Sequence, residues 1–128
     1  MVWKPELDQP LYGARILIAE DEILIALDME AAFLDAGAHV IGPCATVAAA
    51  VEAAKNEELS LAILDIRLGH ETTERIGDLL TEQGVPFLFY SGQTLPDEMK
   101  TKCIGVLVVS KPATQQELVG AAARTLAA

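Results

Sequence analysis

Arg15-Ile16-Leu17-Ile18-Ala19-Glu20-Asp21-Glu22 is a short apolar run that ends abruptly in three acids. Runs of the same kind recur at His39-Val40-Ile41, at Leu61-Ala62-Ile63-Leu64 before Asp65, at Phe87-Leu88-Phe89-Tyr90 before Ser91, and at Val106-Leu107-Val108-Val109 before Ser110-Lys111-Pro112. They are short and apolar throughout, with no polar alternation, which is the pattern of strands covered on both faces. Between them lie segments of helical period. Ile23 to Ala36 sets Leu24, Leu27, Ala31 and Leu34 three and four apart and stops at Gly37. Thr46 to Asn56 has a capping threonine and places Val47, Val51 and Ala54 on one face. Thr72 to Gln83 carries Ile76, Leu79 and Leu80 and ends before Gly84, and Thr114 with Glu117 opens the last helix with a capping box. In the segment from Gln93 to Cys103, Pro96 predicts the start of a short helix. Strand and helix alternate five times. The expected fold is therefore α/β: a doubly wound, five-stranded parallel sheet with helices on both faces, whose ligands bind at the carboxyl ends of the strands.

The bulk composition narrows the function. The 128 residues suffice for one domain of ordinary size, and 52% hydrophobic residues with only 5% aromatics predict an aliphatic, alanine-rich core. A formal charge of −10, with nine basic residues spread along the chain, argues against nucleic acid and against an anionic membrane surface. Apolar stretches fall short of a membrane span, and Met1 to Gly13 lacks the apolar core of a secretory signal, so a cytoplasmic setting is expected. Residues 1–14 read as an N-terminal extension, with Trp3 and Tyr12 available to dock on the domain, and residues 15–128 as the domain itself. Cys44 and Cys103 make no disulfide framework and read as small buried hydrophobes beside strands. His39 and His70 read as ordinary surface or half-buried residues.

The strand ends carry the chemistry. Each of their groups has a bland reading alone: Glu20-Asp21-Glu22 as acids at a helix N-terminus, Asp65 and Ser91 as turn residues, Lys111 as a solvated cation. In a doubly wound sheet the first strand is central and the third lies beside it, so Glu20, Asp21 and Asp65 converge. Carboxylates so crowded require a compensating cation, and oxygen donors of this kind suit Mg²⁺, with the backbone carbonyl of Arg67 as a further ligand. Lys111, backed by Pro112, supplies a fixed ammonium, and Ser91 supplies a hydroxyl donor. The set suits transfer of a phosphoryl group to the Asp65 carboxylate, which needs no general base because it is already ionised.

These residues carry a resemblance. Ile-Leu-Ile-Ala-Glu-Asp-Glu at 16–22, Leu-Asp-Ile-Arg-Leu-Gly at 64–69, Ser91 and Ser-Lys-Pro at 110–112 look like the response regulator receiver family of two-component systems, over about residues 15–127. The resemblance implies a flavodoxin-like (βα)5 receiver, a phospho-aspartate at Asp65, Mg²⁺ held by Glu20, Asp21 and Asp65, a hydroxyl switch at Ser91 and the family's lysine at Lys111. It also implies a histidine kinase or histidine phosphotransfer protein as donor, and a downstream protein whose binding changes on phosphorylation. Pro86-Phe87-Leu88-Phe89-Tyr90-Ser91-Gly92-Gln93 is similar to the Phe-Ala-Thr-Gly pattern of a receiver subgroup that is often stand-alone, with Ser91 for the threonine and Tyr90 for the small residue before it. Two further departures are Val108, where receivers often carry an aromatic three residues before the lysine, and Gly69, near which they tend to carry proline.

The expectation is a single-domain phosphoacceptor with no output domain of its own, monomeric or dimerising on phosphorylation. It is not expected to be an enzyme beyond catalysing its own phosphorylation and slow dephosphorylation. Arg67 and Gln93, each two residues past a site group, are expected to flank the phosphoryl group and gate the attacking water. One rival is a degenerate receiver that acts as a constitutive interaction module. The other, an aspartate-nucleophile phosphatase, needs a second acid two residues after the nucleophile, where this chain has Arg67.

Overall fold

The computed structural model describes residues 9–128. Its strands are β1 (Arg15–Ala19), β2 (His39–Cys44), β3 (Leu61–Leu64), β4 (Arg67–Leu68), β5 (Glu71–Thr72), β6 (Phe87–Ser91) and β7 (Val108–Ser110). The helices are α1 (Ile23–Asp35), α2 (Val47–Asn56), α3 (Glu74–Glu82), α4 (Asp97–Lys102) and α5 (Gln115–Ala127). Five strands form a parallel sheet in the order β2-β1-β3-β6-β7, and β4 and β5 form a separate antiparallel pair. This is the expected doubly wound sheet of flavodoxin-like type, with β1 and β3 adjacent at its centre.

Side chains alternate across the sheet and divide the core in two. One face packs Ile16, Ile18, Leu61, Ile63 and Leu88 against Met29 and Phe33 of α1 and Leu118, Ala121 and Ala122 of α5. The other packs Leu17, Ala19, Ala62, Leu64 and Phe89 against Val47, Ala50 and Val51 of α2, Ile76 and Leu80 of α3, and Met99 of α4. Every residue of β3 is fully buried, which is why that run shows no polar alternation. Among the described residues no helix is long and apolar enough to cross a membrane.

The caps follow the sequence closely. The Thr46 side chain accepts the Ala49 N–H, and Thr114 with Glu117 forms the expected capping box. Gly37 stands just past α1 at φ +95°, where a Cβ would come within 2.9 Å of the Tyr12 Cα. That close approach seats the chain before β1. The Leu11 N–H donates to the Ala36 carbonyl and the Gly13 N–H to that of Gly37, and Leu11 is buried in the core. Tyr12 is exposed, while Trp3 lies outside the described residues.

Three local expectations change. Helix α3 begins at Glu74 rather than Thr72, because Thr72 pairs with Arg67 in the β4–β5 hairpin. Strand β7 covers Val108–Ser110 and leaves Val106 and Leu107 outside it. The largest change concerns α1, where the face marked by Leu24, Leu27, Ala31 and Leu34 points outward. Leu24 is 79% exposed and Leu27 50%, whereas Ala26, Met29, Ala32 and Phe33 are buried. The helix is apolar on nearly every side, and only its register against β1, β2 and α5 selects the inner stripe.

This assignment gives a direct test. Leu27→Ala should change the unfolding free energy by less than about 1 kcal/mol, whereas Phe33→Ala should lower it by about 3–5 kcal/mol. Chemical denaturation of the two variants checks the ranking, and a reversed order would place the wrong face inside.

Candidate phosphoacceptor site

The parallel register brings three strand ends together. Ala19 pairs with Leu64 across β1 and β3, and Leu64 with Phe89 across β3 and β6, so Glu20, Asp65 and Ser91 emerge at one edge. Ser91 pairs with Ser110, and the Lys111 N–H donates to the Ser91 carbonyl, which delivers Lys111 to the same place. The Asp65 N–H donates to the Ala19 carbonyl and ties the two acidic ends by backbone.

Asp65 is saturated with donors. Its Oδ1 accepts the Ser91 hydroxyl at 2.7 Å and the Ile66 N–H at 2.7 Å, and its Oδ2 accepts the Lys111 ammonium at 2.9 Å. Lys111 also lies 2.8 Å from Glu20 Oε1 and 3.2 Å from Glu22 Oε2. Asp21, on the exposed rim, accepts the Gly69 N–H on Oδ2 at 2.8 Å. Glycine at 69 serves this contact twice: it adopts φ +61° in the β4–β5 turn, and it has the N–H that a proline would lack.

Glu20, Asp21 and Asp65 each present a carboxylate oxygen, and these oxygens all lie within 4.8 Å of one another. Hard oxygen donors at that spacing, two of them half or fully withdrawn from water, fit a small divalent cation such as Mg²⁺. Arg67, exposed on β4, stands at the lip of this pocket by chain position, two residues past Asp65. Gln93 is exposed as well, and its N–H donates to Ser91 Oγ at 3.3 Å.

Electrostatics separates the two inner acids. Burial pushes Glu20 up to about 7, against the pull of Lys111 and of the Glu22 N–H. Burial would also raise Asp65, but the Ser91 and Lys111 hydrogen bonds outweigh it and hold its carboxyl below the usual range. Lys111 is desolvated too, and its two carboxylate partners more than offset this, so its ammonium is stabilised. Asp65 is thus kept ionised, while Glu20 bears the cost of burial.

Three residues have contacts that the sequence did not show. Thr73, fully buried, donates its hydroxyl to the Asp65 carbonyl at 2.6 Å and fixes the backbone that carries the carboxylate. Nothing in a lone threonine before a helix marks that role. Glu22 was legible only as the last acid of a run. Tyr90 was noted for its bulk, and its phenol oxygen accepts the Ala113 N–H at 3.0 Å. Val108 is 37% exposed on β7, so that strand carries no aromatic. His39 and His70 are exposed and stand outside the cluster, Cys44 is buried, and both cysteines are free.

The shifted acid predicts a pH dependence. A raised folded pKa at Glu20 contributes stability that is complete below its ordinary 4.5 and is lost as pH rises through about 7. Asp65 has the opposite sign, and its contribution is lost only in acid, as pH falls below its ordinary 3.8. In chelator, raising pH from about 5 to about 8 should lower the stability of the wild type relative to Glu20→Gln by on the order of 3 kcal/mol. Parallel urea-denaturation profiles for the two proteins would contradict it.

No protein-family model matches the chain. Over 80 residues it is 40% identical to the phyllosphere-induced regulator PhyR of Methylorubrum extorquens, a match that covers 60% of this chain and 30% of PhyR. The chain therefore spans well under half the length of that relative. Among solved structures, a response regulator receiver protein from Sinorhizobium medicae superposes with a TM-score of 0.79 at 25% identity, covering 92% of this chain and 98% of that one. The receiver (REC) domain of Erythrobacter litoralis PhyR shares the fold at a TM-score of 0.73 and 23% identity, over 91% and 92% of the two chains. These likenesses give the chain the fold of response regulator receiver domains, with Glu20, Asp21, Asp65, Ser91 and Lys111 gathered at the strand ends of its five-stranded sheet.

Proposed function

We propose that the chain accepts a phosphoryl group on Asp65 from a histidine kinase or a histidine phosphotransfer protein and thereby changes its affinity for a downstream protein. The observation that carries this reading is the Asp65 carboxylate itself, ionised, reached by Ser91 and Lys111, and shared with two further acids. A half-buried carboxylate held below its ordinary pKa by a hydroxyl and an ammonium suits a reacting group better than a docking surface.

Glu20, Asp21 and Asp65, with the Arg67 carbonyl, would hold Mg²⁺, which when bound supplies positive charge against the equatorial phosphoryl oxygens. The chain's own residues do the rest. An Asp65 oxygen attacks phosphorus in line; the new O–P bond forms as the P–N bond to the donor histidine breaks, and its electron pair returns to the imidazole nitrogen. Before transfer the Ser91 hydroxyl and the Lys111 ammonium are bound to the carboxylate. As the negative charge moves to the phosphoryl oxygens these donors follow it, so the resting contacts stand in for those of the phosphorylated state. Ser91 then draws on strand β6, and this displacement at the β6–α4 loop is the change a partner reads. The chain promotes its own phosphorylation and slow dephosphorylation without acting on a separate substrate. Arg67 and Gln93, two residues past Asp65 and Ser91, gate water to the acyl phosphate. The setting that suits such a relay is the cytoplasm.

Mass spectrometry after incubation with acetyl phosphate and Mg²⁺ tests the assignment. The wild type should gain one phosphoryl group and Asp65→Asn none. Lys111→Ala should slow the uptake on the order of 100-fold. An adduct that persists in Asp65→Asn would move the chemistry elsewhere, and a wild type that takes up no phosphate would favour a constitutive binding module.

A further inference from the structure

Strand β6 carries an unusual side chain next to the site. Tyr90 precedes Ser91 and points to the opposite face of the sheet, into the core shared with α1 and α5. It is 5% exposed. A buried phenol needs a polar partner, and this one finds it outside its own strand, at the Ala113 N–H in the loop between β7 and α5. Two residues earlier in that loop, the Lys111 ammonium stands 5.6 Å from the centre of the Tyr90 ring. The ring therefore lies beneath the lysine, and its hydroxyl holds the far end of the short turn that presents it.

The consequence is mechanical. Lys111 must be desolvated to reach Glu20 Oε1 at 2.8 Å and Asp65 Oδ2 at 2.9 Å, and its long side chain has many other rotamers. The main chain at Lys111 is tied to β6 by its N–H on the Ser91 carbonyl. The second tie, at Ala113, depends on Tyr90. The face of the ring, 5.6 Å from the ammonium, adds a weak attraction for the cation. With Val108 half exposed on β7, the large aromatic beside the site comes from β6 instead.

We propose that Tyr90 is a positioning residue for Lys111: its hydroxyl and ring fix the Lys111–Ala113 turn so that the ammonium stands on Asp65. The proposal rests on the phosphoacceptor reading above. Tyr90 acts through the lysine, by the Ala113 hydrogen bond and the ring beneath the ammonium. Tyr90→Phe removes the acceptor and leaves the Ala113 N–H unsatisfied, while Tyr90→Leu removes the ring as well.

The test is the rate of Asp65 phosphorylation by acetyl phosphate in Mg²⁺, measured for the wild type, Tyr90→Phe, Tyr90→Leu, Lys111→Ala and the Tyr90→Leu/Lys111→Ala double variant. Tyr90→Phe should slow it about 3- to 10-fold, the equivalent of one hydrogen bond, and Tyr90→Leu about 10-fold or more as the cation–π contact goes too. In the Lys111→Ala background the Tyr90→Leu change should make less than about a 2-fold difference, because the group it positions is gone. A full, independent loss in that background would show that Tyr90 acts by general packing and would overturn the proposal. If Tyr90→Leu does not fold, Tyr90→Phe, which keeps the buried ring, decides alone, and an unchanged rate overturns the role. A wild type that takes up no phosphoryl group overturns both readings, whereas a wild type that does, with both Tyr90 variants at its rate, overturns only this one.

Discussion

One ammonium makes the site possible. Lys111 lies between Glu20 and Asp65, within 3 Å of each, and largely shielded from water. Two carboxylates withdrawn from solvent at this spacing repel strongly, and the repulsion grows as the local dielectric falls. The lysine bonds both acids at nearly the same distance, but Asp65 has Ser91 and the Ile66 N–H as further donors, while Glu20 has chiefly the ammonium and the Glu22 N–H. In the proposed phosphoacceptor role, the same charge that stabilises this carboxylate also meets a phosphoryl oxygen.

That arrangement is a product of parallel register. Ala19, Leu64 and Phe89 stand level across three adjacent strands; Glu20 and Asp65 follow directly, and β6 runs two residues further to bring Ser91 to the same edge. None of the three contacts is local in sequence, since Asp65 and Lys111 are 46 residues apart. The buried aliphatic core beneath sets the spacing, and Thr73 bonds the Asp65 carbonyl from the start of α3, so a side chain outside the sheet braces the nucleophile's backbone.

Where the chain departs from common receivers, the structure supplies a compensating contact. Gly69 offers an N–H to Asp21 that a proline would lack. Val108 leaves β7 without an aromatic, and Tyr90 places one on the neighbouring strand and on the opposite face of the sheet. A phenol anchored to the loop of Lys111 joins Ser91 and the lysine through the backbone of β6 rather than through a side chain free to swing. The likeness of the whole fold to receivers at a TM-score of 0.79 is compatible with such local differences, because the strand ends tolerate substitutions that the sheet does not.

Much of this was readable from residue order. Unbroken apolar runs pointed to a doubly wound sheet, covered on both faces at β1, β3 and β6 though half exposed at the edge strands β2 and β7, and their flanking acids, serine and lysine marked the candidate site. Thr46, Thr114 and Gly37 marked helix ends because capping is local chemistry. The sequence did not reveal the inner face of α1, because Leu24, Leu27, Met29 and Phe33 are all apolar and periodicity cannot rank two greasy stripes. Nor did it reveal the β4–β5 hairpin, two residues on each side, or the roles of Thr73 and Tyr90, each of which depends on a partner distant in the chain. What order alone determined was the set of strands and the identity of the reactive groups, for these are encoded within a few neighbouring residues. Only the tertiary structure decided which face is buried and which side chain steadies which, because those choices are made by contacts between segments the chain itself does not place side by side.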